Sequence, residues 1–346
     1  MVMLKHIKTV ALATVLAGCA VTAPPITTSS NAAISGKFTP PTGKAIFAVG
    51  QDLDDIEAYM KGFQTETAGV ASITSLEKLE GLTEEAETSA GKLHTDFLMT
   101  RHPFSVLVLS VGINGYLDKV NSGAADAQIE KLLTVLGGYQ RPVYLRLGAF
   151  FDDAANGLDP AAFKQAWKKV ADRLRAKNIQ NIALVWQSAS ACDGKPAGDF
   201  YPGDDVVDWV GLSFTNQVKC NYKPVDDMLA FARAHKKPVM VESYPIGYSL
   251  SKNTFAGQAR TNAQIWNEWF GALLDTVYRN NDAIRAVVYE TVTWEKWPAT
   301  AGQNRGDSSL QSNPELVRHW VAEMSRDQWI LPSPDFYKNL GYEAKK

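Results

Sequence analysis

The chain has 346 residues, with 35 basic and 37 acidic side chains scattered without like-charge blocks and a formal charge of -2, so it carries no electrostatic footprint for nucleic acid. With 45% hydrophobic and 21% charged residues it can build a large core, and past the N-terminus no apolar run is long enough to cross a bilayer. The length admits one α/β barrel, which takes about 250 residues, with segments to spare.

The first of those segments reads as an address. Lys5 and Lys8 precede an apolar run from Thr9 to Ala17, and small residues lead through Gly18 directly into Cys19. The pattern resembles a bacterial lipoprotein signal, which implies removal of residues 1–18 and lipidation of Cys19; the alternative is a plain signal peptide with an incidental cysteine. Ala20 after Cys19 implies, by the habit of such signals, retention in the cell envelope at the outer membrane, facing the periplasm or the cell surface. The membrane would then be met through the lipid alone. Residues 19–41, rich in Thr, Ser, Ala and Pro, read as a flexible tether.

From residue 42 to about residue 340 the chain alternates short apolar runs with amphipathic stretches, the signature of parallel strands joined by helices. Eight strands are predicted: Ala45–Val49, Gly69–Thr74, Ser105–Val111, Val143–Gly148, Ile182–Trp186, Trp209–Phe214, Pro238–Glu242 and Arg285–Val292. Most are unbroken rather than alternating, as expected of strands covered on both faces. Among the helices, Asp159 caps a stretch starting at Pro160 whose Phe163, Trp167, Val170, Ala171 and Leu174 share one face. Ile129, Leu132, Leu133 and Leu136 repeat the spacing, as do Trp266, Phe270, Leu273, Leu274 and Val277; a further helix spans Val225 to Ala234. Eight strands with crossover helices predict a single-domain (β/α)8 barrel, and no Gly-rich phosphate loop follows any strand to suggest a dinucleotide cofactor. Cys192 and Cys220 fall just after neighbouring strands, so their loops would emerge side by side and a disulfide is expected, two free buried thiols being the alternative.

In such a barrel the chemistry lies at the C-terminal strand ends. These offer Gln51 and Asp52 after the first strand, Asn114 after the third, Arg146, Asp152 and Asp153 at and after the fourth, and Trp186 and Gln187 at the fifth. Phe214 and Asn216 follow at the sixth, Glu242 and Tyr244 at the seventh, and Glu290, Trp294, Glu295 and Trp297 at the eighth. Carboxylates, amides and flat rings at one mouth suit hydroxyl groups and pyranose faces, so a carbohydrate partner is expected. Trp186, Phe214, Tyr244, Trp294 and Trp297 are the expected stacking platforms, some of which core packing would claim. Glu242 ends an apolar strand where a charge is costly unless paired or used. Arg146 is its expected partner, either orienting a reactive carboxylate or simply closing the mouth as a structural pair. His94, His102, His235 and His319 stand at no metal-ligand spacing, no Gly-x-Ser-x-Gly elbow follows a strand, and neither metal nor organic cofactor is expected. A monomer is expected.

These segments together resemble the family 26 glycoside hydrolases, the β-mannanase type, from Gly50-Gln51-Asp52 to about Ile330. The resemblance rests on Arg141 to Gly148, Tyr201 to Asp205 with Val207 to Gly211, Lys237 to Glu242, Gly306 to Ser308 and Asn313 to Glu315. It implies a barrel with catalytic glutamates at the fourth and seventh strand ends, Glu242 as nucleophile, and a β-linked, mannan-like polysaccharide or oligosaccharide as substrate. Relatives typically read Arg, Ile or Leu, Gly, Tyr, Glu, Phe, Asp at the fourth strand, whereas this chain reads Arg146-Leu147-Gly148-Ala149-Phe150-Phe151-Asp152, which sets Phe150 in the place of the acid/base glutamate. Phenylalanine moves no proton. Either Glu290 or Asp152, with Asp153 beside it, has taken over as donor, or the barrel binds glycan without cutting it, or another cleavage chemistry uses the cleft.

Overall fold

The computed structural model describes residues 33–344 apart from 90, 216 and 298–301. Among these, eight parallel strands close into a barrel: β1 (Ala45–Gly50), β2 (Gly69–Ser75), β3 (Val106–Gly112), β4 (Val143–Leu147), β5 (Ile182–Gln187), β6 (Trp209–Phe214), β7 (Val239–Ser243) and β8 (Ile284–Glu290). Sheet order follows chain order, and β8 pairs with β1 to close the ring. The predicted strands are all present. The (β/α)8 architecture therefore stands as the unbroken apolar runs implied.

Two cores follow from strand parity. Side chains alternate across a strand, so one set points into the barrel and the other toward the helices. Ile46, Ala48, Ala71, Val106, Val108, Tyr144, Ala183, Val185, Trp209, Met240, Ala286 and Val288 form the inner core. Their outward neighbours pack with the helices into a larger one. Helix Pro160–Ala176 is typical: Asp159 accepts a hydrogen bond from the Ala162 amide at 2.8 Å, and Phe163, Trp167, Val170, Ala171 and Leu174 are buried. Helical spacing placed Trp266 in a buried stripe, but a π-helical turn over Trp266–Phe270 inserts a residue and shifts the phase. Trp269 is the ring that is buried, while Trp266 is half-buried against Phe270 and His319.

The expected tether ends earlier than Pro41. From Ile34 onward the chain belongs to one compact unit, and it seals the barrel's N-terminal end. Tyr144 and Trp209 point inward there with polar atoms that require acceptors; the Tyr144 hydroxyl donates to the Phe38 carbonyl at 2.7 Å and the Trp209 indole to the Lys37 carbonyl at 2.7 Å. Phe38 is itself buried beside Phe336 and Leu340. Composition alone made this stretch look unable to fold, because its partners lie more than 100 residues away. A short ninth strand, Trp329–Ile330, lies beside the start of β1 and was not anticipated. The signal segment, Cys19 and residues 19–32 of the tether lie outside the described residues.

Candidate active site

The inward-facing parity that fills the barrel with apolar side chains turns polar at its C-terminal end. Two residues beyond Tyr144 comes Arg146, two beyond Met240 comes Glu242, and two beyond Val288 comes Glu290. In register Glu242 lies beside Val288 on β8 and Ser213 on β6, and Glu290 lies beside Gly50 on β1. Gly50 has to lack a side chain, since a Cβ there would stand 2.9 Å from Glu290 Oε2 and 2.7 Å from the Ala71 Cβ.

Arg146 serves both carboxyls. Its Nη1 donates a hydrogen bond to Glu242 Oε2, and its Nη2 lies 3.8 Å from Glu290 Oε1. All three groups are nearly sealed, at 2%, 6% and 1% exposure for Arg146, Glu242 and Glu290, so one guanidinium faces two buried acids. Burial drives the Glu290 carboxyl up to about 8, the Glu242 charge pushes the same way, and Arg146 opposes them. Burial also raises Glu242, but the Arg146 charge and hydrogen bond and the Arg305 charge pull it back. The pair titrates as a unit, and ionising one member holds the proton on the other. Of the two, Glu242 has the Arg146 hydrogen bond and two opposing cations and is the member better placed to ionise, whereas Glu290 is the one pushed up to about 8. Since both reach one guanidinium, their nearest oxygens are at most roughly 9 Å apart, below the ~9.5 Å upper limit for carboxyl pairs that cleave glycosides.

The Glu290 shift carries a stability consequence. Its folded-state value lies above the ordinary 4.5, so the folded chain holds a proton that the unfolded chain releases between 4.5 and about 8. The stabilisation is complete below pH 4.5 and is lost as pH rises toward 8. Glu290→Gln is therefore expected to flatten the decline in unfolding midpoint across that interval in a urea titration at several pH values.

Glu242 forms part of the wall of an open groove of about 530 Å³. Tyr244 and Trp294 stand beside it with ring centroids 5.0 Å apart and planes at 44°, and Phe150 and Gln51 also line the space. Trp294 is held by its indole N–H donating to Ser308 Oγ at 3.0 Å. Arg305 was missed by sequence reading, because it sits in a long loop far from any strand end. It also lines the groove, with its guanidinium 5.4 Å from the Trp294 ring and Nη1 donating to the Tyr244 hydroxyl at 3.3 Å. Burial pushes the Tyr244 phenol up to about 12, so it enters the groove as a neutral hydroxyl.

Several expected site residues lie elsewhere. Asp152 is not a proton donor to the groove: it is buried, with Oδ2 accepting from Ser188 Oγ at 2.6 Å and Oδ1 from the Ala189 amide at 2.7 Å, and it ties the loop after β4 to the loop after β5. Asp52 caps helix Leu53–Phe63 through the Asp55 amide and also accepts from the Lys92 amide. Trp186 and Phe214 are one residue out of phase with inward Gln187 and Ser213, so they face the helices. Trp186 is stacked on Phe151 at 4.5 Å and Phe214 on Tyr222 at 4.9 Å, both fully in the core. Gln187 does point inward, but it is sealed under Ser188 and Ser213. Asn114 is exposed and donates to Asn156 rather than facing the groove, Trp297 is half-buried outside the described lining, and Asn216 lies outside the described residues. Trp186→Ala is expected to cost about 3–5 kcal/mol of stability in urea denaturation while leaving the ligand affinity of the folded protein unchanged.

The Cys192–Cys220 disulfide is formed, with the two Cα atoms 5.7 Å apart, and Cys192 contributes to the groove wall. It closes a loop with a sequence separation of 28. Replacing both cysteines by serine should lower stability by about 3–4 kcal/mol, measured as the shift in denaturant midpoint, by the entropy of a loop of that size.

A profile of glycosyl hydrolase family 26 matches residues 108–296, a span from β3 to the turn after β8. The chain is 35% identical over 326 residues to the beta-1,3-xylanase TXYA of a Vibrio species, covering 90% of this chain and 71% of that protein. It is 34% identical over 328 residues to a beta-1,3-xylanase of an Alcaligenes species, covering 90% and 70%. The GH26 β-mannanase BoMan26A of Bacteroides ovatus superimposes with a TM-score of 0.54 at 14% identity, covering 88% of this chain and 94% of that one, a likeness of fold. With the family profile matching more than half of the chain and two relatives at 34–35% identity covered over two thirds or more of their length, the chain belongs to glycosyl hydrolase family 26.

Proposed function

We propose that this protein hydrolyses a β-linked polysaccharide of the β-1,3-xylan class, with Glu242 as the nucleophile of a retaining mechanism and leaving-group protonation as its slow step. The observation that carries the reading is the Glu242 carboxyl, held by Arg146 and opening onto a groove beside the Tyr244 and Trp294 rings. The xylan class replaces the mannan-like substrate expected by analogy, because the relatives at 34–35% identity are named xylanases whereas the mannanase likeness, at 14%, carries the fold alone.

In this reading a pyranose ring lies against Tyr244 and Trp294, and Glu242 attacks the anomeric carbon as the glycosidic oxygen departs. That oxygen needs a proton. Glu290 holds one, but it is buried, does not line the groove, shares the Arg146 guanidinium with Glu242 and stands on the strand next to β7 rather than across the groove. Beyond β4 the groove is lined by Phe150, which cannot donate, and by Asp153, whose Oδ1 is engaged by the Ala155 amide as the cap of the following turn. Phe150 therefore also favours a second reading, a barrel that binds glycan without turnover.

Rates on β-1,3-xylan, β-1,4-xylan, β-mannan and an aryl β-xyloside separate the readings. The proposal expects ready cleavage of the aryl xyloside, whose leaving group needs no acid, and slow cleavage of β-1,3-xylan; saturable binding with no release from either supports the binding barrel. Lipid anchoring through Cys19 and an envelope location remain part of the proposal and are tested by radiolabelled palmitate incorporation in wild type and Cys19→Ala.

A further inference from the structure

The charges around the groove do not balance evenly. Arg146 is matched by Glu242, and Glu290 beside them keeps its proton. Arg305 makes no ion pair: among the described residues no carboxylate lies within 4 Å of it, although it lines the same groove and its charge acts on Glu242. It is held in place by its surroundings. The Gly247 amide donates to its backbone carbonyl at 3.0 Å, its Nε donates to Gln303 Oε1 at 2.9 Å, and its Nη1 donates to the Tyr244 hydroxyl. Three of its five N–H bonds, including both on Nη2, are left without a described partner at the edge of the aromatic pair.

The opposite side of the mouth has the other sign. Asp153 and Asp193 line the groove on the loops after β4 and β5, and in an eight-stranded ring β4 stands across from β8, whose following loop carries Arg305. Lys219, after β6, is exposed and also lines the groove. A groove with an unmatched, pre-positioned guanidinium at the sugar platform and carboxylates facing it repels an anion from one wall and draws it to the other. A planar fork of N–H donors fits a carboxylate or sulfate with two parallel hydrogen bonds, which a neutral hydroxyl cannot supply.

From this juxtaposition we infer that the groove selects a β-linked glycan bearing an anionic substituent, a uronic acid carboxylate or a sulfate ester, which Arg305 receives while the adjoining sugar lies on Tyr244 and Trp294. The inference rests on the reading of the groove as a glycan site and names the chemistry of its substrate.

The test is isothermal titration calorimetry of the full mature protein with three probes built on one β-linked xylo-oligosaccharide: one carrying a single glucuronic acid, the same compound with that carboxyl reduced to the alcohol, and one carrying a sulfate ester. Wild type is expected to bind at least one anionic probe ten or more times more tightly than the reduced one, with the advantage shrinking as salt rises. The probe preferred tells carboxylate from sulfate. Arg305→Gln should bring the ratio close to one whatever it does to overall affinity, and Arg305→Lys, which keeps the charge without the fork, should retain an intermediate ratio. Equal affinities of wild type for all three probes overturn the inference and leave the glycan site standing. A preference that survives in Arg305→Gln overturns it too, by assigning the anion to another cation such as Lys219. Absence of binding to every probe removes the glycan reading itself.

Discussion

Phe150→Glu is expected to raise the rate on unactivated β-1,3-xylan by about 10²–10⁴-fold, the range that general acid catalysis supplies to a poor leaving group. Phe150 lines the groove that Glu242 opens onto, on the loop following the strand that carries Arg146, so a carboxyl placed there would face the bound sugar, as the buried Glu290 does not. Its backbone is set by its own neighbours: the amide donates to the Gln187 carbonyl at 2.8 Å, and its carbonyl accepts from the Asp153 amide and from Asn156 Nδ2. The position has a left-handed φ of 62°, which costs a β-branched residue more than a glutamate, so the exchange should leave the loop in place. The gain should depend on the leaving group. On an aryl xyloside with an acidic phenol the variant should run close to the wild-type rate, because bond cleavage there needs no proton. An equal gain on both substrates would point to altered binding rather than restored proton transfer, and no gain on either would remove the acid step as the bottleneck.

Glu242→Gln is expected to abolish aryl-xyloside turnover while leaving oligosaccharide binding within a few-fold of wild type. The amide keeps the shape of the side chain but cannot attack the anomeric carbon. A second signature separates this from simple structural damage. With the neighbouring charge gone, the repulsion that helps hold the Glu290 proton disappears, and Arg146 is freed to pair with Glu290 alone. Glu290 should then titrate below its wild-type value of about 8, visible in the carboxyl region of difference infrared spectra recorded against pH. In the wild type the same coupling predicts that aryl-xyloside hydrolysis declines in acid, as Glu242 takes up the proton it must lack to attack. Unchanged turnover in Glu242→Gln would exclude it from the reaction.

Much of the scaffold was legible because the code for a buried parallel strand is local. Eight unbroken apolar runs gave eight strands, and the Asp159-Pro160 start with its stripe gave the helix that follows β4. Glu242 and Arg146 were legible for the same reason: a charged residue at the end of an apolar run has few places to go but inward. Trp186 and Phe214 failed on parity, since a strand end supplies one residue facing the groove and the next facing the helices, and an unbroken apolar run hides which is which. The register that sets Ser213 beside Glu242 and Gln187 beside Gly211 fixes the inward pair, and that register lies between strands rather than within one. Asp152 and Asp52 look reactive in sequence but serve backbone amides, a local role that strand-end position cannot distinguish from catalysis. Arg305 and the segment Ser35–Pro41 depended on partners distant in the chain, Tyr244 and Trp294 for the one, Tyr144 and Trp209 for the other, and no local pattern encodes such pairings.

In the proposed mechanism Glu242 attacks the anomeric carbon of a sugar held in the groove. Incubation with a 2-deoxy-2-fluoro xylosyl donor bearing a dinitrophenyl leaving group, followed by digestion and mass spectrometry, reads this directly, because the fluorine slows breakdown of the covalent intermediate. One fluoroxylosyl adduct is expected, located on Glu242. An adduct on another carboxylate, or none despite release of the phenol, would contradict it.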